Sequence, residues 1–410
     1  MTSLPPPPAA VRRRSRWGRQ TSLFQWRNPA FWLYAVVVVA TAVSLLGEQS
    51  AFRGIAPSGW ALSWFLLALY ALPVFLTVFY LDLYEREPLS LLFGALVWGA
   101  VAATTLAAVG NEGWASVVAR IGGPEFASRW TAALTAPLVE ETIKVVGVVL
   151  ICLIAGDEVD DVMDGFVYGA MVGLGFAVVE DVFYFIGVFG GTTGGVLAGF
   201  YVRVISSGLY GHVLYTGLAG MGVAYFFSKR DEVPLERRVL VATGLFLAGV
   251  AGHFLWNSPF LDLFPTHVSS VGDLLRIPLA AAIKGLPLLL FVVVLVRLAR
   301  RRERRWLDVA LRSEVGTGAL SPEELDVLLT PRVRRRSIHD MRTRAGTRAA
   351  KLLKRLQREQ INLAMVRARA ESDDDPALLR QREYCKSLHD ALASIPGAAS
   401  AAGTPGGVPV

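Results

Sequence analysis

The stretch Ala136-Pro137-Leu138-Val139-Glu140-Glu141-Thr142-Ile143-Lys144 places two adjacent carboxylates and a lysine inside an apolar run from about Trp130 to Ala155. The run is long enough to cross a bilayer, which takes about 20 residues. A charge near the bilayer centre costs at least about 2.5–3.5 kcal/mol on insertion scales. Three such charges within one short segment indicate a functional site that faces other helices rather than lipid.

Composition points to an integral membrane protein. The chain has 410 residues, of which 53% are hydrophobic and only 18% are charged. This composition predicts an all-α, polytopic transmembrane helix bundle with a helical, partly disordered cytoplasmic tail. The net charge of +7 comes from arginine-rich ends, which suit anionic lipid, whereas a nucleic-acid partner is disfavoured. Cys152 and Cys385 show no metal or redox spacing and no disulfide framework.

Apolar runs predict about eight membrane spans. They cover about 31–46, 60–81, 89–109, 130–155, 162–189, 200–227, 239–258 and 278–298. The predicted domains are a basic disordered arm at 1–29, the transmembrane domain at 30–298, a basic helical tail at 299–395 and a disordered end at 396–410. With eight spans, the most basic segments all fall on one side. Both termini of this multi-pass protein of the cell membrane are therefore predicted to be cytoplasmic.

The tail contains its own helix signals. Ser321-Pro322-Glu323-Glu324 predicts a capping box with proline at the first helical position. Residues 338–370 predict a basic helix, and the aspartates at 373–375 cap a further helix to about Leu392. Such a tail either contacts anionic lipid or a cytoplasmic partner, or is a solvated extension without chemistry. The sequence favours the second interpretation.

Other runs contain ionisable groups at a similar predicted depth. With a rise of about 1.5 Å per residue, Glu140 lies about 15 Å below the outer end of its run. Glu180 lies about 14 Å below the outer end of its run, and His212 lies about 14 Å below Arg203, if that arginine marks the outer surface. His253 lies at a similar depth if the apolar run continues to residue 264. These groups therefore predict one cavity in the outer half of the membrane.

Residue types and spacing suit hydrolysis. Lys144 is three and four residues after Glu141 and Glu140, so it reaches either carboxylate along one helix side and keeps one of them ionised. A glutamate can act as general base on water, and a zinc ion held by His and Glu lowers the pKa of that water to about 7. His253 and Asn257 are four residues apart, and an amide can stabilise an oxyanion.

Each group also has a structural interpretation. The Glu–Lys pair can be an interhelical ion pair, His212 an interhelical hydrogen bond, and His253 with Asn257 a helix cap. Asp181 and Asp164 are interpreted as helix-end or loop charges. For the whole protein, the alternatives are a proton- or ion-coupled transporter and a catalytically inactive scaffold. No motif has a second copy in the sequence, which disfavours the transporter.

Four motifs occur in a fixed order along the chain. They are Glu140-Glu141-x-x-Lys144, Phe176-x-x-x-Glu180, His212 and His253-x-x-x-Asn257. Their order resembles the PrsW family of intramembrane proteases, which is related to the CAAX prenyl endopeptidase and Abi group. The resemblance covers about residues 65–298. Asp181 stands where the family usually has asparagine.

The resemblance implies a bacterial, membrane-embedded endopeptidase that cleaves membrane-tethered regulators such as anti-sigma factors. A glutamate would activate water, an amide would stabilise the oxyanion, and the remaining groups would position water or metal. The implied catalytic residues are Glu140, Glu141, Lys144 and Asn257, and the implied metal-binding residues are Glu180, His212 and His253. Zinc is the candidate cofactor, and glutamate-dependent hydrolysis without metal stays open.

Overall fold

The computed structural model describes residues 22–81, 87–156, 159–208, 210–260 and 271–398. These residues are almost entirely helical and form no β-strand, which confirms the all-α prediction. The described chain divides after Val296 into two compact units. Of the segments predicted to be disordered, residues 1–21 of the arm at 1–29 and residues 399–410 of the end at 396–410 lie outside the described residues, as does the apolar run at 261–264.

The first unit is a bundle of apolar helices. They are α1 (Pro29–Ile55), α2 (Pro57–Leu81), α3 (Leu89–Val97), α4 (Thr104–Ala155), α5 (Val162–Phe183), α6 (Thr193–Phe200), α7 (His212–Ser228), α8 (Leu235–Asn257) and α9 (Asp273–Arg312). Short π-helical segments continue α3, α5 and α6. They are Trp98–Ala103, Tyr184–Val188 and Tyr201–Ile205.

Five helices of the described chain are long and apolar enough to cross a bilayer: α1, α2, α5 with its π-helical segment, α8 and α9. The predicted count of eight spans is not confirmed. The runs at 89–109 and 130–155 lie on two helical segments that meet at Gly123, whose φ of 79° is not helical, just before Pro124. The chain between these runs is thus helical on both sides of a break at Gly123.

The predicted single span at 200–227 is wrong, because the chain leaves the helix after Ile205 and begins α7 at His212. Hydropathy alone does not reveal this break. The sequence Ser206-Ser207-Gly208 is a turn signal within the apolar run, since serine and glycine favour non-helical backbone. The break allows His212 to occupy the first position of a helix.

Close packing of α5 against α7 positions two polar residues of α7. Gly165, Gly169 and Gly173 are spaced four residues apart along one side of α5, a small-residue pattern that lets helix backbones touch. A Cβ atom at Gly169 would lie 2.2 Å from the Thr216 carbonyl oxygen, and one at Gly173 would lie 2.3 Å from the His212 carbonyl oxygen. Glycine therefore sets the distance between the two helices.

The second unit contains the end of α9 together with α10 (Pro322–Leu329), α11 (Pro331–Arg369) and α12 (Pro376–Ala393). Its core includes Met341, Leu356, Leu363, Leu378, Cys385 and Leu388. The capping box predicted at Ser321 and Glu324 is confirmed, as is the aspartate cap of α12. Helix α11 is interrupted at Gly346, where φ is 83°.

Candidate active site

Ionisable side chains from three helices meet inside the first unit. Helix α4 contributes Glu140, Glu141 and Lys144, while His212 begins α7 and His253 lies one turn before the end of α8. All five side chains are buried, and Lys144 has no exposed surface. The structure thus brings together residues that lie more than 100 positions apart in the sequence.

Lys144 is at the centre of the cluster. Its Nζ lies 3.2 Å from Glu140 Oε2, 2.9 Å from Glu141 Oε1 and 2.8 Å from His212 Nδ1. An ammonium group has three N–H donors and no acceptor, so His212 accepts at Nδ1 and has its proton at Nε2. That nitrogen donates to Glu180 Oε2 over 3.1 Å. One lysine therefore determines the tautomer of His212.

The two glutamates have different surroundings. Both oxygens of Glu141 accept hydrogen bonds: Oε1 from Lys144 and from Nδ1 of His253 over 3.1 Å, and Oε2 from the Thr216 hydroxyl over 2.9 Å. The ring of His253 also stacks on Tyr215, with centroids 4.9 Å apart. Glu141 is therefore anchored from three helices.

Glu140 is held less completely. Its Oε1 accepts from the Asn111 amide over 3.0 Å. Its Oε2 lies 4.0 Å from His212 Nδ1 and 4.0 Å from His253 Nε2, distances too long for direct hydrogen bonds. Apart from the contact with Lys144, this oxygen thus faces two imidazoles without a direct bond to either.

Glu180 lies on the other side of His212, where it is paired with Arg203. The Arg203 guanidinium contacts both Glu180 and Asp181 and lies 3.7 Å over the ring of Tyr184. Arg203 is thus a partner of these carboxylates, and its assumed position at the outer surface stays a prediction. Asp181, in the last turn of α5, is the second carboxylate that this arginine contacts.

Asn257 lies apart from the cluster. Its amide nitrogen donates to the backbone carbonyl of Ala132 over 3.2 Å. Ala132 precedes Glu140 by eight residues, or about 12 Å of helix. The oxyanion role of Asn257 stays a prediction.

Sequence reasoning missed several residues that contact the cluster. They are Asn111, Arg203, Tyr215 and Thr216. The ring of Phe176, part of one of the four motifs, also lies 3.6 Å from Lys144 Nζ. Arg203 carried a usable signal, because it is a charge within an apolar run, as Lys144 is. Thr216 follows His212 by one helical turn and so shares its helix side.

The donor set fits a metal ion. Glu140, Glu141, His212 and His253 each offer one ligand atom, and these atoms lie within 4.8 Å of one another. Imidazole nitrogens and carboxylate oxygens are ligands that zinc prefers. Glu180 on the second nitrogen of His212 is also typical of metal-binding histidines. Glu180 itself lies outside this group of four, and its ligand role stays a prediction.

Apolar helices around a buried Glu–His–Lys cluster define a multi-pass membrane protein with an enzyme-like polar site. Residues 87–302, more than half of the chain, match the family model described as PrsW family intramembrane metalloprotease. The chain therefore belongs to the PrsW family of intramembrane proteases, which confirms the resemblance of its motifs. No curated protein and no solved structure matches the chain.

Proposed function

We propose that this protein is an intramembrane endopeptidase in which Glu140 is the general base that activates water. The position of Glu140 Oε2, 4.0 Å from an imidazole nitrogen on each of two helices, carries the proposal. Glu140 accepts two side-chain hydrogen bonds against three at Glu141, and its Oε2 accepts from Lys144 alone, so this oxygen has a lone pair available to a reactant. A carboxylate so placed takes a proton from water as it attacks a peptide carbonyl.

The surrounding residues hold this arrangement. Lys144 balances the adjacent negative charges of Glu140 and Glu141, which are buried beside it. Glu180 orients the ring of His212 by accepting a hydrogen bond from its Nε2. For Asn257 to stabilise an oxyanion, its amide would exchange the carbonyl of Ala132 for that of the substrate.

We propose that a metal ion, with zinc as the candidate, would be held by His212 and His253 with Glu140 or Glu141. When bound, zinc acts as a Lewis acid and lowers the pKa of its water to about 7. Lys144 contacts three of these four side chains, so its ammonium group competes with a cation for their acceptors. Metal binding therefore requires Lys144 to give up contacts.

The proposed substrates are membrane-tethered proteins, such as the anti-sigma regulators associated with this family. Two helices that contribute to the site, α5 with Glu180 and α8 with His253, are long and apolar enough to span a bilayer, which limits access to chains that enter the membrane. Location in the bacterial cell membrane with cytoplasmic termini is proposed from the distribution of basic residues.

The test is cleavage of a library of tagged single-pass membrane segments, co-reconstituted with the purified protein and followed by mass spectrometry. Glu140→Gln keeps an acceptor for Asn111 but cannot take a proton. It is expected to lower kcat by about 10²–10⁴-fold with unchanged KM, the usual size of a general-base effect. Glu141→Gln should instead lower the melting temperature, since three donors lose an ionised acceptor.

Two outcomes would count against these assignments. Identical peptide products from wild type and Glu140→Gln, at equal rates, would contradict the general-base role, and an absence of peptide products from the wild type would contradict the peptidase function. Metal content answers the cofactor question separately. One zinc per wild-type chain, lost in His212→Ala, is the expected result, and a zinc-free chain with full activity would overturn the zinc proposal.

A further inference from the structure

The exposed side of α11 is strongly cationic. Between residues 332 and 358 the chain has one carboxylate, Asp340. The same segment exposes ten basic side chains: Arg332, Arg335, Arg336, Arg342, Arg344, Arg348, Lys351, Lys354, Arg355 and Arg358. Such a charge excess on one face creates a strong local positive potential.

The part of α11 after Gly346 orders these charges most clearly. At about 100° per residue, the five basic residues from 348 to 358 lie within an arc of roughly 120° that is about 15 Å long. We call these residues the cationic strip: Arg348, Lys351, Lys354, Arg355 and Arg358. Buried residues such as Ala349, Ala350 and Leu356 occupy the opposite side and pack into the core of the second unit. The fold thus holds the strip facing outward.

The composition of this face favours one kind of anionic partner over others. Residues 332–358 contain no aromatic side chain other than the imidazole of His339, and Val333 is their one strongly exposed large apolar residue. Proteins that bind single-stranded nucleic acid stack bases on aromatic rings, and interfacial helices insert apolar side chains into lipid. The residues of the strip have neither feature, and the ring of Tyr384, which lies 5.6 Å from the Cζ of Arg355, is partly buried against the core of the second unit. It suits a broad anionic surface that is contacted through charge alone.

A membrane that contains anionic lipid is such a surface. The strip begins 52 residues after Val296, in the same polypeptide as the helices that are long enough to span a membrane. Covalent linkage raises the effective concentration of one binding partner near another to the millimolar range for short linkers. Anionic lipid headgroups attract basic residues near the surface by about 1 kcal/mol each.

We propose that the cationic strip binds anionic phospholipid headgroups of the membrane in which the first unit is embedded. Binding is electrostatic and occurs without insertion into the acyl region, because the apolar side of α11 is used in the core. It holds the second unit at the membrane surface. This role is independent of the proposed peptidase activity.

The test uses the full-length protein in nanodiscs made with or without phosphatidylglycerol. Thr347 is exposed beside the strip, whereas Cys152 and Cys385 are buried, so Thr347→Cys can be labelled selectively with a donor dye. Energy transfer to an acceptor on lipid headgroups should be higher in anionic discs. At about 1 M salt, where the Debye length is about 3 Å, it should fall to the level measured in neutral discs.

A matched pair of variants then assigns the effect to the strip. Lys351→Gln should lower the ratio of docked to free tail about fivefold, which corresponds to about 1 kcal/mol per cation. Arg380→Gln removes an exposed charge from α12 and should leave the ratio unchanged.

Three outcomes would overturn the proposal. They are equal transfer in neutral and anionic discs, an excess transfer in anionic discs that persists at high salt, and equal effects of the two variants. Tight binding of a single-stranded oligonucleotide in neutral discs, without any effect of anionic lipid, would assign the strip to nucleic acid and reject the lipid partner.

Discussion

Arg203 is the cation that balances the carboxylates behind His212. Its guanidinium contacts Glu180 and Asp181, and its side chain is 22% exposed. Glu180 in turn accepts from Nε2 of His212, so Arg203 acts on the cluster through two intermediates. Without the guanidinium, two adjacent carboxylates would face each other in a largely apolar environment, which favours displacement of Glu180. Arg203 is thus a positioning residue.

We predict that Arg203→Met lowers kcat by about 10–100-fold, the usual effect of removing a partner that orients a metal-binding or catalytic histidine. KM should stay unchanged, because Arg203 does not contact the reacting atoms. Arg203→Lys should restore part of the rate. The measurement is kcat and KM for a reporter that the wild type cleaves.

Asp181→Asn is the matched control for this prediction, since it leaves the contact between Arg203 and Glu180 in place. Its kcat should lie within a few-fold of wild type. A wild-type kcat in Arg203→Met, or a change confined to KM, would contradict the positioning role.

At the scale of elements, the packing of α5 against α7 fixes where His212 begins its helix. Gly173 lies against the backbone of His212, and Gly169 lies against Thr216. Because a Cβ contact needs about 3.4 Å or more, whereas 2.3 Å is available at Gly173, an added methyl group must push α7 away. This displacement would move His212 relative to α4.

Gly173→Ala is therefore expected to reduce kcat by about 10²-fold, since a misplacement of 1 Å in a catalytic group has that effect. Gly187→Ala is the control, because nothing lies within 4 Å of the added atom. Cleavage rates of the two variants, measured beside their melting temperatures, distinguish a shifted site from a destabilised bundle. Equal rates in both variants would show that the α5–α7 distance does not control the site.

At the scale of the whole molecule, the second unit has a core of its own and a buried charge within it. Glu314 has no exposed side-chain surface and accepts two hydrogen bonds from Arg382, over 2.7 Å and 2.9 Å. Arg367 lies 3.6 Å from the same carboxylate. These bonds raise the pKa of Arg382 above its ordinary value. A fixed ion pair therefore joins the chain just after α9 to α12.

Arg382→Ala should destabilise the second unit by about 3 kcal/mol, because it leaves a buried carboxylate without its main partner. Cys385 reports this directly: it is fully buried, and burial raises the pKa of its thiol to about 12. Its labelling by a thiol reagent thus requires opening of the unit. We expect labelling about 10²-fold faster than in wild type. Arg380→Ala should label at the wild-type rate, and an unchanged rate in Arg382→Ala would contradict the prediction.

The sequence by itself determined the class of fold and most members of the site. A buried charge in an apolar helix needs polar neighbours, so the amino-acid sequence alone predicts that Lys144, Glu180, His212 and His253 meet. Helix caps in the second unit were equally readable, because a cap is satisfied within a few residues of itself. Such requirements are local, and therefore composition and spacing reveal them.

Only the tertiary structure decided which groups are partners. Three features of the site depend on contacts between residues far apart in sequence. They are the pairing of Arg203 with Glu180, the hydrogen bonds that both oxygens of Glu141 accept, and the less constrained oxygen of Glu140. Hydropathy did not show the break before His212, because apolar residues on both sides give one continuous signal, and only Ser206-Ser207-Gly208 marks the turn in the sequence. The sequence shows that each buried polar side chain requires a partner, whereas the packing of helices in three dimensions determines which group is that partner.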